Sequence, residues 1–376
     1  MDLVLPKTEL VRLCALCAPV ADKKSAMPAL ANVLLTAECG LLRASATNLY
    51  QGVSSPAPAD VDTPGSVAVP ARDLLDRVKM MPAGPVQILV NVDTSAMTLK
   101  AVGSPRRYTL HGIPGSDFPP MPKVDADAPT ASMRADLLGR LFDRTHVSIS
   151  TDETRPHVNS LFVEMRGALV RAVSTDGHRL TKMDATLTTA IGLATTMLIP
   201  LAAVGDLRRL FADAEKGVVV TLAQSGPNAF VTVGDVTYWT KLVDAQFPPW
   251  EQVVPKVSSN SARAPKAAFA DAIKAIKVAS SGKTGGIKLS FATNTVRIES
   301  ESPESGSAFD ELAIDFAGEP VTIGFNAQYV LDALDAIDDA DEVLLGVSRE
   351  LDPMLITPGS EAEGESFLAV AMPMRC

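Results

Sequence analysis

Three short segments of the chain combine residue types that could do chemistry. TDGHRL (residues 175–180) brings a hydroxyl, a carboxylate and an imidazole into one stretch, the groups used in nucleophilic or general acid-base catalysis. SGKTGG (residues 281–286) is similar to a phosphate-binding loop, and Cys14 with Cys17 has the C-x-x-C spacing of redox and zinc sites. Each segment therefore has a chemical interpretation and a structural one.

The structural interpretation is favoured for all three segments. A phosphate loop needs a glycine five positions before Gly282, where Lys277 stands, so a turn after a helix is expected there. No second motif completes a catalytic set with TDGHRL, although catalytic groups normally converge from several segments. Cys14 and Cys17 lie at helical spacing on one apolar face, and a zinc site needs four ligands. We therefore expect no catalytic residue, no metal site and no cofactor.

The composition is that of a globular protein with several domains. The chain has 376 residues, of which 47% are hydrophobic and 21% are charged, and this length predicts two or three domains. It has no apolar run of membrane-spanning length, no secretory signal and too few cysteines for a disulfide framework. These features predict a cytoplasmic protein without a membrane partner. The net charge of −10 argues against nucleic acid as a partner, but a basic cavity lining is compatible with it.

The same series of short motifs occurs twice along the chain, and a third time more faintly. NVLL at 32–35 corresponds to NSLF at 159–162, which is 127 residues further on, and Phe118 of DFPP corresponds to Phe247, 129 residues further on. Repeats of this length are whole domains, and three like domains favour a closed, pseudosymmetric assembly. The third copy is indicated by IKLSF from 287, VRIES from 296 and FNAQYVLDAL from 325.

Each repeat is predicted to contain a helix, short strands, a second helix and further strands. The apolar stripe of 135–146 has helical spacing, and runs such as VQILV at 86–90 between turn residues indicate antiparallel strands. Two helices on antiparallel sheets in each repeat make the fold class α+β. Polar, Pro-bounded segments at 122–132 and 255–265 are linkers. The predicted domains are 1–124, 125–257 and 258–376.

Basic residues recur on the predicted helices of successive repeats. The helices at 72–80, at 135–146, after Pro200 and from Pro265 all carry Lys or Arg. A further helix, the first of the chain, is predicted at 9–20. Recurrence favours a polyanionic partner, but the solvent face of an amphipathic helix is also commonly basic. The helix predicted at 329–342 does not fit that partner, because it has six acids and no Lys or Arg.

The C-terminal segment FLAVAMPMRC places Val370, Met372 and Met374 around Pro373. Methionine is adaptable and suits surfaces that accept varied partners. The pattern alone favours the alternative that these residues close the last strand, since apolar strand ends usually lie in the core.

Several motifs together resemble one known family, the β subunit of bacterial DNA polymerase III, the sliding clamp. The resemblance extends over nearly the whole chain, through MPALANVLL, VPARDLLD, YTLHGIPGSDFPPMP, STDGHRL, TKLVDAQFPPWEQVVPK, IGFNAQYVLDAL and the terminal MPMRC. It implies three similar clamp-fold domains per subunit and a head-to-tail homodimer that forms a six-domain ring around duplex DNA. It also implies a non-enzymatic processivity factor, which tethers the replicative polymerase without catalysis.

The resemblance implies three sets of site residues. A pocket between the second and third domains would bind short linear peptides of the DNA polymerase III alpha subunit, the clamp loader and other replication and repair proteins. The pocket residues would be Val158, Thr175, Gly177, His178, Arg179, Leu180, Pro248, Val253, Leu351, Pro353, Val370, Met372, Pro373, Met374 and Arg375. The DNA-facing cations would be Lys24, Lys79, Arg140, Arg144, Arg155, Arg208 and Arg209. The dimer interface would include Tyr108, Leu110, Lys277 and Val278.

The chain departs from the family pattern at some of these places. Leu201 and Ala202 follow the proline of the second-domain IP motif, where basic residues are common, and Lys277 occupies a commonly apolar interface position. Gln252 stands where many relatives have a basic residue, and Cys376 replaces a common terminal Leu. One alternative is therefore a diverged clamp copy that binds replication proteins but is poorly loaded. A remote alternative is a hydrolase on a repeated-domain scaffold.

Overall fold

The computed structural model describes residues 1–255, 260–280, 285–302, 306–338 and 340–375. The chain forms two compact units: unit 1 is Met1–Arg134 with Ala214–Lys241, and unit 2 is Ala135–Asp213 with Leu242–Cys376. Most of the loop-like segment SGKTGG, part of the predicted linker at 255–265 and the terminal Cys376 lie outside the described residues.

Unit 1 contains one helix pair and two antiparallel sheets. Helices α1 (Lys7–Cys17) and α2 (Ala71–Lys79) pack against each other. The five-stranded sheet has the spatial order β5 (Asp60–Thr63), β1 (Asp2–Pro6), β7 (Pro85–Val90), β8 (Ala96–Ala101) and β9 (Arg107–His111). The nine-stranded sheet has the order β10 (Ile113–Pro114), β6 (Gly65–Pro70), β2 (Asn32–Glu38), β3 (Leu41–Thr47), β4 (Gln51–Pro58), β18 (Val236–Lys241), β17 (Asn228–Val233), β16 (Val219–Ser225) and β11 (Thr130–Arg134).

Unit 2 contains two helix pairs and two antiparallel sheets. Helix α3 (Ala135–Thr145) packs against α4 (Leu201–Ala212), and α5 (Lys266–Lys277) packs against α6 (Ala327–Asp335). The eight-stranded sheet has the order β15 (Thr195–Pro200), β12 (Ser160–Arg166), β13 (Leu169–Thr175), β14 (Arg179–Thr186), β26 (Glu365–Ala371), β25 (Met354–Pro358), β24 (Glu342–Val347) and β19 (Asn260–Pro265). The four-stranded sheet has the order β22 (Gly306–Ala313), β21 (Thr295–Ser302), β20 (Gly286–Ala292) and β23 (Val321–Asn326).

The large sheets continue across the boundaries between sequence repeats. In unit 1, β4 of the first repeat pairs with β18 of the second, with Val53 opposite Tyr238. In unit 2, β14 of the second repeat pairs with β26 of the third, with Leu180 opposite Val370. The strands of the central repeat are thus shared between the two units. The predicted boundaries at 124/125 and 257/258 stay predictions.

The repeated sequence motifs build the same turn twice. Asn48 Oδ1 accepts the backbone N–H groups two and three residues further on at 3.0 and 2.9 Å, and Asp176 Oδ1 does the same at 2.8 and 3.1 Å. The residue after each of them has a positive φ, 74° at Leu49 and 95° at Gly177. Asn and Asp are interchangeable here because either side chain can replace a backbone acceptor in a tight turn. The internal repeat is therefore visible in three dimensions.

The helices occur where the pattern predicts them, with different ends. The first begins at Lys7 after the extended Pro6, two residues before its predicted start. The helix predicted at 329–342 is wrong in its second half, because α6 ends at Asp335 and Glu342 already begins β24. Its first turn is capped by Asn326, whose side chain accepts the backbone N–H of Gln328 at 2.9 Å. None of the described helices has the length and hydropathy needed to cross a membrane.

The C-x-x-C pair is buried in the helical face of α1. Cys14 and Cys17 are 1% and 0% exposed. Burial raises the pKa of Cys14 to about 12 and also raises that of Cys17, since both thiolates would lack solvation. Both thiols are thus neutral core residues.

Replacing Gly205 with alanine should stabilise the chain. Gly205 lies within α4, and no atom lies within 4 Å of the position that a Cβ would take. Because glycine inside a helix costs about 0.5–1 kcal/mol relative to alanine, the free energy of unfolding in urea should rise by that amount. The same change at Gly177 should lower it, since alanine is strained at a φ of 95°. A loss of stability at Gly205 would contradict this reading of α4.

Candidate functional site

The TDGHRL segment forms a tight turn between β13 and β14 that uses its own polar groups. Thr175 Oγ1 donates to the carbonyl of Arg179 at 2.6 Å and accepts the N–H of Gly177 at 3.1 Å. The Asp176 carboxylate accepts hydrogen bonds from two backbone N–H groups and, at 2.9 Å, from Nε of Arg179. His178 is exposed. Since the hydroxyl and the carboxylate both hold the turn, they form a rigid surface element and not a nucleophile with its base.

Arg179 connects this turn to helix α6. Its guanidinium pairs with the carboxylates of Asp176 and Asp332 and lies over the ring of Tyr329, 4.5 Å from the ring centroid. Burial raises the pKa of Tyr329. An arginine held by two carboxylates and one aromatic ring has little freedom, so the turn is fixed relative to the third repeat.

One face of the eight-stranded sheet carries an apolar cluster next to the turn. Leu180 and Val370 are opposite each other in register and are both 2% exposed. Phe247 and Trp250 pack onto them from the segment that follows β18, and the ring of Phe247 stacks on Phe162 with centroids 5.1 Å apart. The segment at 242–255 is thereby anchored across the sheet.

A cavity of about 430 Å³ lies beside this cluster, and Val254 belongs to both. Its wall combines apolar side chains with a few polar ones, which suits capture of an extended peptide. The lining residues are Gln252, Val253, Val254, Pro255, Ser348, Asp352, Pro353 and Met372.

The predicted pocket residues fall into four groups. Val253, Pro353 and Met372 line the cavity itself. The others do not line it: four are buried (Val158, Thr175, Leu180 and Val370), four are half-buried (Arg179, Pro248, Pro373 and Met374) and four are exposed (Gly177, His178, Leu351 and Arg375). The sequence reasoning named Gln252 only as a departure from the family pattern and missed Val254, Pro255, Ser348 and Asp352. The adjacency of Val254 and Pro255 to Val253, and of Asp352 to Pro353, was an available signal.

The C-terminal methionines lie beyond the last strand, which ends at Ala371. The N–H of Met372 donates to the carbonyl of His178 at 2.9 Å, and the N–H of Met374 donates to that of Gly324 at 2.9 Å. Both side chains are half-buried. The alternative that these residues merely close the last strand holds for Val370, which is 2% exposed within that strand. It does not hold for Met372, which follows the strand and lines the cavity.

Most predicted DNA-facing cations on helices α3 and α4 have carboxylate partners. Arg140 pairs with Glu365 and with Asp136, Arg208 pairs with Asp143, and Arg209 pairs with Asp206. The hydrogen bond with Glu365 is the main cause that raises the pKa of Arg140. Neutralised cations attract a polyanion less than free ones, so the electrostatic attraction of this helix pair for DNA is reduced.

Arg144 differs from its neighbours because its residue is only 8% exposed. The resemblance implied that Arg144 faces DNA together with Arg140, but α3 packs against both α4 and the sheet. We therefore leave Arg144 out of the DNA-facing set. Lys24, Lys79 and Arg155 are exposed, and the Arg155 guanidinium donates to the carbonyl of Asp176 at 3.3 Å.

The predicted interface residues lie on or next to sheet edges. Tyr108 and Leu110 are on edge strand β9, where Tyr108 is half-buried and Leu110 is only 2% exposed, so Leu110 already serves its own core. Val278, which follows α5, is 83% exposed, and Lys277 donates to the Gln328 side chain. A residue that the sequence did not suggest is Phe309 on edge strand β22, which is 67% exposed.

Comparison with known families accounts for almost the whole chain. The DNA polymerase III beta subunit models match with their N-terminal domain at residues 1–122, their central domain at 132–249 and their C-terminal domain at 251–375. The chain belongs to this family. Its three repeats are three domains of the clamp fold, which confirms the predicted α+β class and the resemblance inferred from the motifs.

Individual relatives agree with the family assignment. The chain is 31% identical over 379 residues to the beta sliding clamp of Pseudomonas putida, and 28% identical over 354 residues to that of Escherichia coli K12, with coverage of 100% and 93% of both chains. A Pseudomonas aeruginosa sliding clamp crystallised with a ligand superimposes with a TM-score of 0.93 at 27% identity. A Bartonella birtlesii sliding clamp bound to griselimycin superimposes with a TM-score of 0.92 at 29% identity, and both cover 100% of the chain.

Family membership also confirms the predicted functional class. The chain is a sliding clamp of DNA polymerase III, a non-catalytic processivity factor, and the hydrolase alternative is set aside.

Proposed function

We propose that two copies of this chain assemble head to tail into a ring that encircles duplex DNA, and that the cavity of unit 2 binds short peptides of replication proteins. The ring would consist of six domains, with boundaries near 124/125 and 257/258 in each copy. The partners would be the DNA polymerase III alpha subunit, the clamp loader and other proteins with a clamp-binding motif, in the cytoplasm.

The observation that carries the ring is the edge strand β22. It is eight residues long, mostly exposed, and presents Phe309 to solvent. A long exposed edge with an apolar side chain is a pairing surface that monomeric proteins avoid. β9, in the first repeat, also ends its sheet. Pairing of two different edges is a heterologous contact, which closes into a ring when the rotation per copy permits it.

Replacing Phe309 with aspartate should weaken the dimer. Burying this ring against a partner contributes about 2 kcal/mol at each interface, and a two-copy ring has two such interfaces. Losing both contributions, about 4 kcal/mol, would raise the dimer dissociation constant roughly 1,000-fold. Sedimentation equilibrium measures the change. Val92→Asp is the matched control, because Val92 is an 83% exposed apolar residue in the loop between β7 and β8. Equal dissociation constants for Phe309→Asp and the unchanged chain would argue against β22 as an interface.

Sliding needs attraction without base recognition. The exposed Lys24, Lys79 and Arg155 would contact phosphates without reading sequence. Contacts of this kind weaken with salt and hold no fixed register, so retention on DNA would depend on ring closure.

Peptide capture is supported by the cavity and by the relatives. Its wall includes the adaptable Met372 and polar groups such as Gln252 and Asp352. Sliding clamps from Bartonella birtlesii and Pseudomonas aeruginosa were crystallised with griselimycin. Calorimetric titration of griselimycin into this chain tests the proposal, and absence of binding would remove the pocket assignment.

A second candidate is a diverged clamp copy that is poorly loaded. It is favoured by the carboxylate partners of Arg140, Arg208 and Arg209 and by the absence of cations at Leu201 and Ala202. The two candidates differ in the yield of loading onto primed circular DNA by the matching loader. A yield near that of an established clamp would exclude the second.

A further inference from the structure

Trp250 lies against two cations on the sheet face that supports the cavity. Its ring centroid is 5.2 Å from the guanidinium carbon of Arg171 and 5.8 Å from the Nζ of Lys182. The residue is 9% exposed and belongs to the apolar cluster that includes Leu180 and Val370. A cation near an aromatic face is attracted to it, and the attraction is larger where water is excluded.

The two cations are fixed by carboxylates of the same sheet face. Arg171 binds Asp184 through two nitrogens, Nε at 2.7 Å and a terminal nitrogen at 2.9 Å, and also reaches Glu164 at 3.3 Å. Lys182 Nζ lies 2.8 Å from Asp184. Burial opposes ionisation of Asp184, but these hydrogen bonds hold its pKa below the ordinary value. The two cations are balanced by the carboxylates of Asp184 and Glu164. They therefore hold the Trp250 ring and do not require an anionic ligand.

The ring is coupled to the cavity wall through the backbone. Residues Trp250–Gln252 form a single 3₁₀ turn. The N–H of Val253 donates to the Trp250 carbonyl at 3.1 Å, and the N–H of Gln252 donates to the Pro249 carbonyl at 3.2 Å. Gln252, Val253 and Val254 then line the cavity. The position of residues 252–254 in the cavity wall therefore depends on the position of the Trp250 ring.

We infer that Trp250, held against Arg171 and Lys182, is the positioning residue of the peptide cavity. The inference rests on the proposed peptide-binding function. A wall that is fixed before the ligand arrives loses less conformational freedom on binding, which raises affinity without a new contact. The side chain itself acts through Val253 and its neighbours.

Substitution of Trp250 separates this role from simple packing. Trp250→Leu should weaken griselimycin binding roughly 10-fold, because an aliphatic side chain gives the two cations no aromatic face. Trp250→Tyr keeps such a face and should stay within about 3-fold of the unchanged chain. Trp239→Leu is the matched control, since Trp239 is the other tryptophan, is 5% exposed and lies in unit 1. It should leave griselimycin affinity unchanged.

Fluorescence tests whether the ring is fixed before the ligand arrives. In a Trp239→Phe background, Trp250 is the only tryptophan of the chain. Its emission maximum and its quenching by acrylamide should be those of a buried, immobile ring and should change little when griselimycin binds, and the dissociation constant found by calorimetry should equal that of the unchanged chain.

The outcomes distinguish the inference from the proposed function. If the unchanged chain binds griselimycin and Trp250→Leu binds it equally well, the positioning role is wrong. If Trp250→Leu does not fold, a large change in Trp250 emission or quenching on griselimycin binding overturns the role in the Trp239→Phe chain, because the ring would then not be fixed in advance. If the unchanged chain does not bind griselimycin, the cavity assignment and the inference both fall.

Discussion

Once loaded, the chain should remain on nicked circular DNA at least about 100-fold longer than on the same DNA after linearisation. A closed ring on a circle has no end to leave from, and release must wait for an interface to open. On a linear molecule, the same ring diffuses to an end and is lost. The measurement is the half-life of labelled chain on each DNA after removal of the loader.

Salt separates topology from electrostatic adhesion in this experiment. Binding through phosphate contacts falls steeply with salt, by about 10³ or more between 50 and 200 mM for a protein with several contacts. Retention on the circle should change little over that range, because the exposed cations steer the duplex and do not hold it. The Phe309→Asp variant should lose the advantage of the circle. Equal, salt-sensitive loss of the unchanged chain from both DNAs would leave only adhesion and would refute the ring.

The repeated turn chemistry made the domain organisation predictable. Asn48 and Asp176 occupy equivalent positions after a threonine, and their side chains accept the same backbone hydrogen bonds. The similar sequences of the two repeats therefore form the same local turn. The helices followed for the same reason, since their apolar spacing is local. Their ends did not, because the end of α6 depends on competition with the start of β24.

The pairing of strands from different repeats could not be predicted from local sequence patterns. β4 and β18 are far apart in sequence, and the sequence feature that reflects their pairing is a single glycine of β4, Gly52. A Cβ on Gly52 would lie 2.3 Å from Trp239 Nε1, so only glycine fits there. Periodicity carries no information about which strand supplies the opposing residue.

Charge pairing explains the differences at the DNA-facing helices. The resemblance implied that Arg140 faces DNA, but its partner Glu365 is 225 residues away in the sequence. The burial of Arg144 likewise depends on packing of α3 against other elements. Long-range partners decide whether a surface cation is free, and the sequence pattern does not contain them.

Replacing Met372 and Met374 together with alanine should weaken binding of griselimycin and of a polymerase-derived peptide roughly 100-fold, or about 3 kcal/mol. Met372 lines the cavity and Met374 is half-buried beyond it. Two flexible thioether side chains that adapt to a ligand lose most of their contact area when truncated. Fluorescence anisotropy of the labelled peptide and calorimetry with griselimycin measure the loss.

The backbone of this segment should survive the double substitution, which makes the result specific to the side chains. Its hydrogen bonds to His178 and Gly324 come from main-chain N–H groups that alanine keeps. The dimer dissociation constant should therefore remain that of the unchanged chain. Met27→Ala with Met80→Ala is the matched control, because both methionines are exposed in unit 1, at 46% and 61%. Full peptide affinity in the Met372 and Met374 variant would mean that the ligand is held elsewhere, because Met372 is part of the cavity wall.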